Sequence, residues 1–155
     1  MIGMHRIFGQ KRSVEYTHRK GAYLIPIENG KVAVAQTPKG YFLLGGGLEP
    51  NETEEGCMLR ECLEETGWEA KMGELVCSAE TYGYHFSNHP QIEFFHPMQT
   101  YYLGKLIKQT QQPTEMDCRL AWIDYAVLRG NLFVEMQNWA LEKCWDRHCE
   151  VEGEA

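Results

Sequence analysis

The chain has 155 residues, 43% of them hydrophobic and 24% charged, with a formal net charge of −7 at neutral pH. That length fits one domain with a real core, and the acidity argues against a polynucleotide partner, whose phosphates need a basic surface. The longest apolar stretch, residues 22–27, falls far short of the roughly 20 residues that span a bilayer, which excludes a membrane helix.

The first dozen residues, MIGMHRIFGQKR, are too polar and too basic for a signal segment. No Cys-x-x-Cys pair occurs among the six cysteines, so the expectation is a reduced, cytoplasmic protein whose thiols serve as small hydrophobes. A single domain over residues 1–155 is expected, with a core over about 20–147, a short N-terminal extension and a polar tail. Residues 22–28 and 31–37 are β-rich and separated by Asn29-Gly30, a strong hairpin signal. Residues 41–44 read as a short strand running into a Gly45-Gly46-Gly47 loop. A helix starts near Asn51 or Thr53, both competent caps, with Glu54 and Glu55 suited to its first turn. Leu59, Cys62 and Leu63 form the face that packs on a sheet.

Two long β-segments follow, over 74–85 and 94–107, split by the turn Ser87-Asn88-His89-Pro90. Residues 119–123 form another strand, after which Asp124 caps a short helical turn. Residues 132–145 have helical spacing, with Leu132, Phe133, Met136, Trp139 and Ala140 as core, while Gln137 and Asn138 offer no site. The tail from Glu150 is polar and frayed. Strands flanked by two helices predict an α/β/α layered domain with a mixed, partly antiparallel sheet.

The stretch GGLEPNETEEGCMLRECLEETGW, residues 46–68, carries the chemistry. Glu61, Glu64 and Glu65 fall on one narrow helix face at i, i+3, i+4 spacing, where they repel one another with no lysine between them. They also crowd the last turn before Gly67, where the macrodipole disfavours negative charge. A sequence that accepts both penalties points to a bound cation, and hard oxygen ligands point to Mg²⁺ or Mn²⁺ rather than zinc. The bland alternative is a solvated acidic helix face, with Arg60 and Glu52 as ordinary surface and first-turn charges and the glycines as a tight turn.

With Gly46, Glu52, Arg60, Glu61, Glu64, Glu65 and Gly67 in register, this segment resembles the Nudix box, departing from the usual bulky aliphatics only at Cys62 and Trp68, and with Leu44 where Pro often precedes the glycines. The resemblance implies the Nudix-type α/β/α sandwich and a divalent-metal-dependent pyrophosphohydrolase. Its substrate would be a nucleoside diphosphate linked to another group, a nucleoside triphosphate or dinucleoside polyphosphate above all. It implies Glu61, Glu64 and Glu65 as metal ligands, with the Gly46 carbonyl adding a ligand and Glu61 acting as general base in some members. Arg60 would then orient Glu61, and Glu52 would support that arrangement from the helix start. The competing class is a non-catalytic nucleotide-sensing domain of the same fold; such members lose box acids, and this chain keeps them.

Outside the box, family members bring one further acid from a later loop, for which Glu115 and Asp117 are the best candidates and Glu93 the third. Tyr82, Tyr84 and His85 are candidates for stacking a base or polarising phosphate oxygens, with sheet core and surface loop as the bland alternative. ADP-ribose-cleaving members commonly show a proline where Tyr84 stands. Cys144, His148 and Cys149 lack a second pair at zinc spacing and read as helix-end residues. The expected partner is a small nucleotide-type molecule, with no nucleic acid polymer and no membrane, and the protein a monomer or homodimer.

Overall fold

The computed structural model describes residues 4–83 and 94–153. Its strands are β1 (Met4–Phe8), β2 (Thr17–Glu28), β3 (Lys31–Thr37), β4 (Gly40–Phe42), β5 (Leu44–Gly47), β6 (Trp68–Thr81), β7 (Phe95–Gln109) and β8 (Arg119–Asp124). The helices are α1 (Glu54–Thr66), α2 (Tyr125–Leu128) and α3 (Glu135–Glu152). The sheet runs β1-β6-β7-β2-β3-β4, with β5 paired to β2 and β8 to β3. Pairs β1–β6 and β2–β7 are parallel, whereas β6–β7, β2–β5 and β2–β3 are antiparallel. The sheet is therefore mixed, as expected. Asn29 and Gly30 both take the left-handed conformation, φ 51° and 76°, which a tight β2–β3 hairpin requires.

Side-chain alternation divides the core into two layers. On one face Ile25, Val32 and Val34 pack with Tyr101 against Met136, Leu141 and Cys144 of α3. On the other, Ala22, Leu24, Ala33 and Ala35 receive Met58 and Cys62 of α1. Each fully buried Leu, Ile, Val or Met contributes about 1.5–3 kcal/mol, and together they hold a helix on either side of one sheet.

Several local expectations are corrected. The N-terminal extension contains a strand, because β1 finds an open parallel edge on β6. The glycine segment is not a loop: Gly45, Gly46 and Gly47 lie in β5, opposite Tyr23, Ala22 and Gly21. Thr53, not Asn51, caps α1, its hydroxyl accepting from the Gly56 N–H at 3.0 Å, while Asn51 turns the chain at φ 65°. The sheet-facing side of α1 is Met58 and Cys62, rotated from Leu59 and Leu63, and Glu65 is buried with it. Strand β6 begins at Trp68, directly after the helix, rather than at residue 74. Helix α3 starts at Glu135, leaving Leu132 and Phe133 in the preceding turn, and runs to Glu152 before its glycine cap rather than fraying at Glu150. Asp124 precedes α2 without a side-chain capping bond.

Candidate functional site

Helix α1 ends at Gly67 in the left-handed conformation, φ 79°, with its N–H bonded to the Leu63 carbonyl. That geometry leaves the last-turn carbonyls open to other donors. The Glu64 carbonyl accepts the backbone N–H groups of Thr114 and Glu115, both at 2.9 Å, and the Gly67 carbonyl accepts that of Thr110 at 2.9 Å. The segment after β7 is thereby laced to the helix end. A Cβ on Gly67 would collide with the Gln111 carbonyl, so the residue must be glycine for two reasons.

The lacing brings Glu115 to Glu61 and Glu65. One carboxylate oxygen from each lies within 4.8 Å of the other two. Glu65 is 8% exposed, and one of its oxygens accepts the Gly45 N–H at 3.0 Å. Burial first, then the charge of Glu61, pushes the Glu65 carboxyl well above its ordinary value. Burial likewise lifts Glu61 to about 7 against the opposing pull of Arg60, with Glu64 and Glu115 adding to the rise. Gly46 lies directly against Glu61, whose carboxylate would be struck by any Cβ there. Its carbonyl accepts the Cys57 thiol at 3.2 Å.

Arg60 organises the outer side. Its Nε and Nη2 form a fork with the Glu52 carboxylate at 2.7 and 2.9 Å, and its Nη1 reaches Glu61 at 2.6 Å and Glu64 at 3.0 Å. The hydrogen bonds from Arg60 are the main reason the Glu52 carboxyl is held down at about 2, and they raise the guanidinium beyond its ordinary value. Glu52 also accepts the Glu49 N–H at 2.9 Å. It stands just ahead of the helix, where it ties the turn to Arg60.

Two cavities meet at this cluster. One, of about 390 Å³, includes Arg19, Lys20, Arg60, Glu61 and Glu115. The other, of about 520 Å³, includes Phe42, Met116, Val134, Glu61, Glu65 and Glu115. Tyr23 and Gln99 line both. A third cavity of about 290 Å³ lies under the end of α3, around Ile25, Met72 and Val151, and contains none of the clustered acids.

The structure thus gathers Glu52, Arg60, Glu61, Glu65, Gly46 and Glu115. Glu64, with 39% of its side chain exposed, turns to Arg60 instead of joining the three-acid cluster. Asp117 lines the second cavity from a left-handed turn, φ 55°, outside that cluster. Tyr82 lines neither cavity; it stacks on His96 at 4.2 Å and 5°, in a separate group where His96 bonds His18 at 2.7 Å and Glu80 at 2.8 Å. Tyr84, His85 and Glu93 lie outside the described residues. Tyr23 and Gln99 escaped sequence reading, and Gln137 was read as offering no site: 1% exposed, it bonds both the Leu43 N–H and Gln99. The available signal was a glutamine interrupting each apolar run, which does not say that the two meet.

These acids suit a divalent cation. The donors are hard carboxylate oxygens from three residues, and two of those residues bear a charge penalty that a cation would remove. Among the described residues no helix is long and apolar enough to cross a membrane.

The NUDIX domain family matches residues 17–141. Comparison with curated proteins gives no match. Solved structures with the same fold include the MutT NUDIX hydrolase of Burkholderia pseudomallei, 21% identical, with a TM-score of 0.62 over 82% of this chain and 98% of that one. A NUDIX hydrolase from Nitrosomonas europaea is 17% identical, with a TM-score of 0.61 over 82% and 91%. A UDP-X diphosphatase is 20% identical, with a TM-score of 0.62 over 88% and 66%.

Proposed function

The chain belongs to the Nudix family of hydrolases, and on that premise we propose that it is a Mg²⁺- or Mn²⁺-dependent pyrophosphohydrolase. Its substrate is a nucleoside diphosphate linked to another group, with nucleoside triphosphates and dinucleoside polyphosphates first in line. The observation that carries the reading is the meeting of Glu61, Glu65 and Glu115 where a cavity with three cationic side chains, Arg19, Lys20 and Arg60, joins one with an apolar wall. That division suits a molecule with phosphates at one end and an organic group at the other. The solved relative named a UDP-X diphosphatase is consistent with this class of substrate.

In this reading Glu61, Glu65 and Glu115 would hold the cation, and the family resemblance adds Glu64, now turned to Arg60, and the Gly46 carbonyl as further ligands. A bound divalent cation offsets the charge of the diphosphate. Arg60 fixes the rotamer of Glu61 through the 2.6 Å bond, and a Glu61 oxygen takes the proton of the attacking water. The water oxygen bonds to one phosphorus as the anhydride P–O bond breaks, and the leaving phosphate carries away the electron pair. Arg19 and Lys20 line the cavity on the side where phosphate charge would lie.

The test is a hydrolysis screen with Mg²⁺ and with Mn²⁺, its nucleotide products separated and quantified by chromatography, using Glu65→Gln as the blank. It spans nucleoside triphosphates, dinucleoside polyphosphates, ADP-ribose and nucleotide sugars. Hydrolysis of one class well above the blank, lost in EDTA, is expected. Equal rates in wild type and blank would overturn the assignment.

A further inference from the structure

The buried polar chain behind the site fixes the direction of one hydroxyl. Its starting point is the Leu43 backbone N–H, which can only donate; it donates to Gln137 Oε1 at 3.1 Å. Gln137 must then present Nε2 on its other side, toward Gln99 Oε1 at 3.3 Å. That oxygen also accepts the Tyr101 hydroxyl at 2.7 Å. Gln99 is left with Nε2 facing Tyr23, and it donates to the Tyr23 hydroxyl at 3.3 Å. No amide in the chain can be turned round without opposing two donors. Tyr23 therefore accepts from behind, and its own hydroxyl proton meets no acceptor among the described residues.

Tyr23 lies where the two cavities join. Tyr23 lines both, as do Glu61 and Glu115. Its ring lies across the glycines of the site: a Cβ on Gly45 would come within 2.8 Å of Tyr23 Cδ2, and one on Gly21 within 3.3 Å of Cε1. The same Gly45 gives its N–H to Glu65. Tyr101 stacks on the ring at 5.9 Å and 30°, so Tyr101 and the close-lying glycines hold the side chain in place. A phenol, with an ordinary pKa near 10, remains a donor throughout the neutral range.

We propose that Tyr23 is a further catalytic residue, whose hydroxyl donates a hydrogen bond to an oxygen of the diphosphate bound at Glu61, Glu65 and Glu115. The proposal rests on the hydrolase reading above. A donor locked in place before substrate arrives acts most strongly on charge that grows during reaction. Loss of Tyr23 therefore lowers kcat more than it raises KM.

The experiment measures Mg²⁺-dependent hydrolysis of diadenosine tetraphosphate and of the four deoxynucleoside triphosphates by wild type, Tyr23→Phe, Gln99→Glu and the double variant. Melting temperature and Mn²⁺ affinity are recorded for each. Tyr23→Phe is expected to lose about 10- to 100-fold in kcat, the range for one charge-directed donor, with Mn²⁺ affinity unchanged. Gln99→Glu keeps the ring and the shape of the pocket but offers Tyr23 an acceptor, turning its proton away from the cavity. It is expected to lose a similar factor, and the double variant no more than Tyr23→Phe alone. A Tyr23→Phe enzyme within twofold of wild type overturns the proposal. So does a loss that tracks weakened Mn²⁺ binding, or a Gln99→Glu loss that multiplies fully with it. Silence of the wild type on every substrate would instead bring down the hydrolase reading, and this proposal with it.

Discussion

Replacing Glu61 with glutamine should make the metal-free protein more stable while destroying its activity. Glu61 has 18% of its side chain exposed, and burial lifts its carboxyl from 4.5 to about 7. At about 1.4 kcal/mol per tenfold, ionising it in the folded protein costs about 3 kcal/mol. The sign follows from linkage. Below the unfolded value near 4.5 the group is protonated in both states and costs nothing. Between 4.5 and about 7 the unfolded chain ionises and the folded one does not, so stability falls as pH rises. Above about 7 the full penalty is present. Glutamine resembles the protonated acid and escapes that cost. In EDTA at pH 8, Glu61→Gln should exceed wild type by about 3 kcal/mol in urea unfolding, or roughly 6–12 °C in Tm for a chain of this size. At pH 4 the two should coincide. Millimolar Mn²⁺ should then raise the wild type and leave the variant unmoved, because binding to the folded state alone stabilises it. A variant less stable than wild type in EDTA at pH 8 would refute the claim that burying the Glu61 carboxylate costs the metal-free protein stability.

Arg60→Lys cannot reproduce the fork to Glu52 while also reaching Glu61. It should lose about 2 kcal/mol at pH 7, after discount for partial exposure. Because Glu52 is held down at about 2, its share of that stability is present above about 4.5 and disappears as pH falls through 2; a gap equally wide at pH 7 and pH 2 would exclude the pairing as its source. Glu115→Gln should weaken Mn²⁺ binding at least about tenfold, whereas Asp117→Asn, outside the three-acid cluster, should leave it within about twofold; titration by electron paramagnetic resonance separates them, and equal effects would dissolve the distinction. Gly67→Ala places a Cβ against the Gln111 carbonyl at φ 79° and should cost at least about 2 kcal/mol. Mn²⁺ affinity should fall with it, since the same turn seats Glu115; an alanine variant with unchanged Tm and metal affinity would contradict this.

The fold was legible wherever a local rule fixes the backbone. Asn29-Gly30 announced its hairpin, and Thr53 its helix, because turn and cap chemistry act over two or three residues. Glu61 and Glu65 were legible from their spacing on one helix, whereas Glu52 and Arg60 came from the register of the segment that resembles the Nudix box. Strand β1 was not, since its pairing with β6 places Met4 opposite Cys77, and nothing in the first dozen residues specifies so distant a partner. The helix face was misjudged for a related reason: Met58 and Leu59 differ by one position, and only the sheet decides which is covered. Tyr23 and Gln99 matter through contacts across strands, Gln99 to Tyr23 and Gln137 to Gln99. Glu115 was separated from Asp117 only by the backbone bonds that seat residues 114 and 115 on the helix end.

Those bonds gather charge that a divalent cation would offset. The carbonyls at the end of α1 recruit the Glu115 segment because they are unpaired, and they are unpaired because a helix ends there. The same end is the negative pole of the helix, and the arriving residue is an acid that joins the buried Glu65 and the half-buried Glu61. Every step that builds the site adds negative charge to one small volume. Stability alone would favour a lysine at position 115 or an amide at position 65, either of which would relieve the repulsion. Carboxylates at all three positions fit the proposal made above, in which a divalent cation would restore the stability that the metal-free chain gives up.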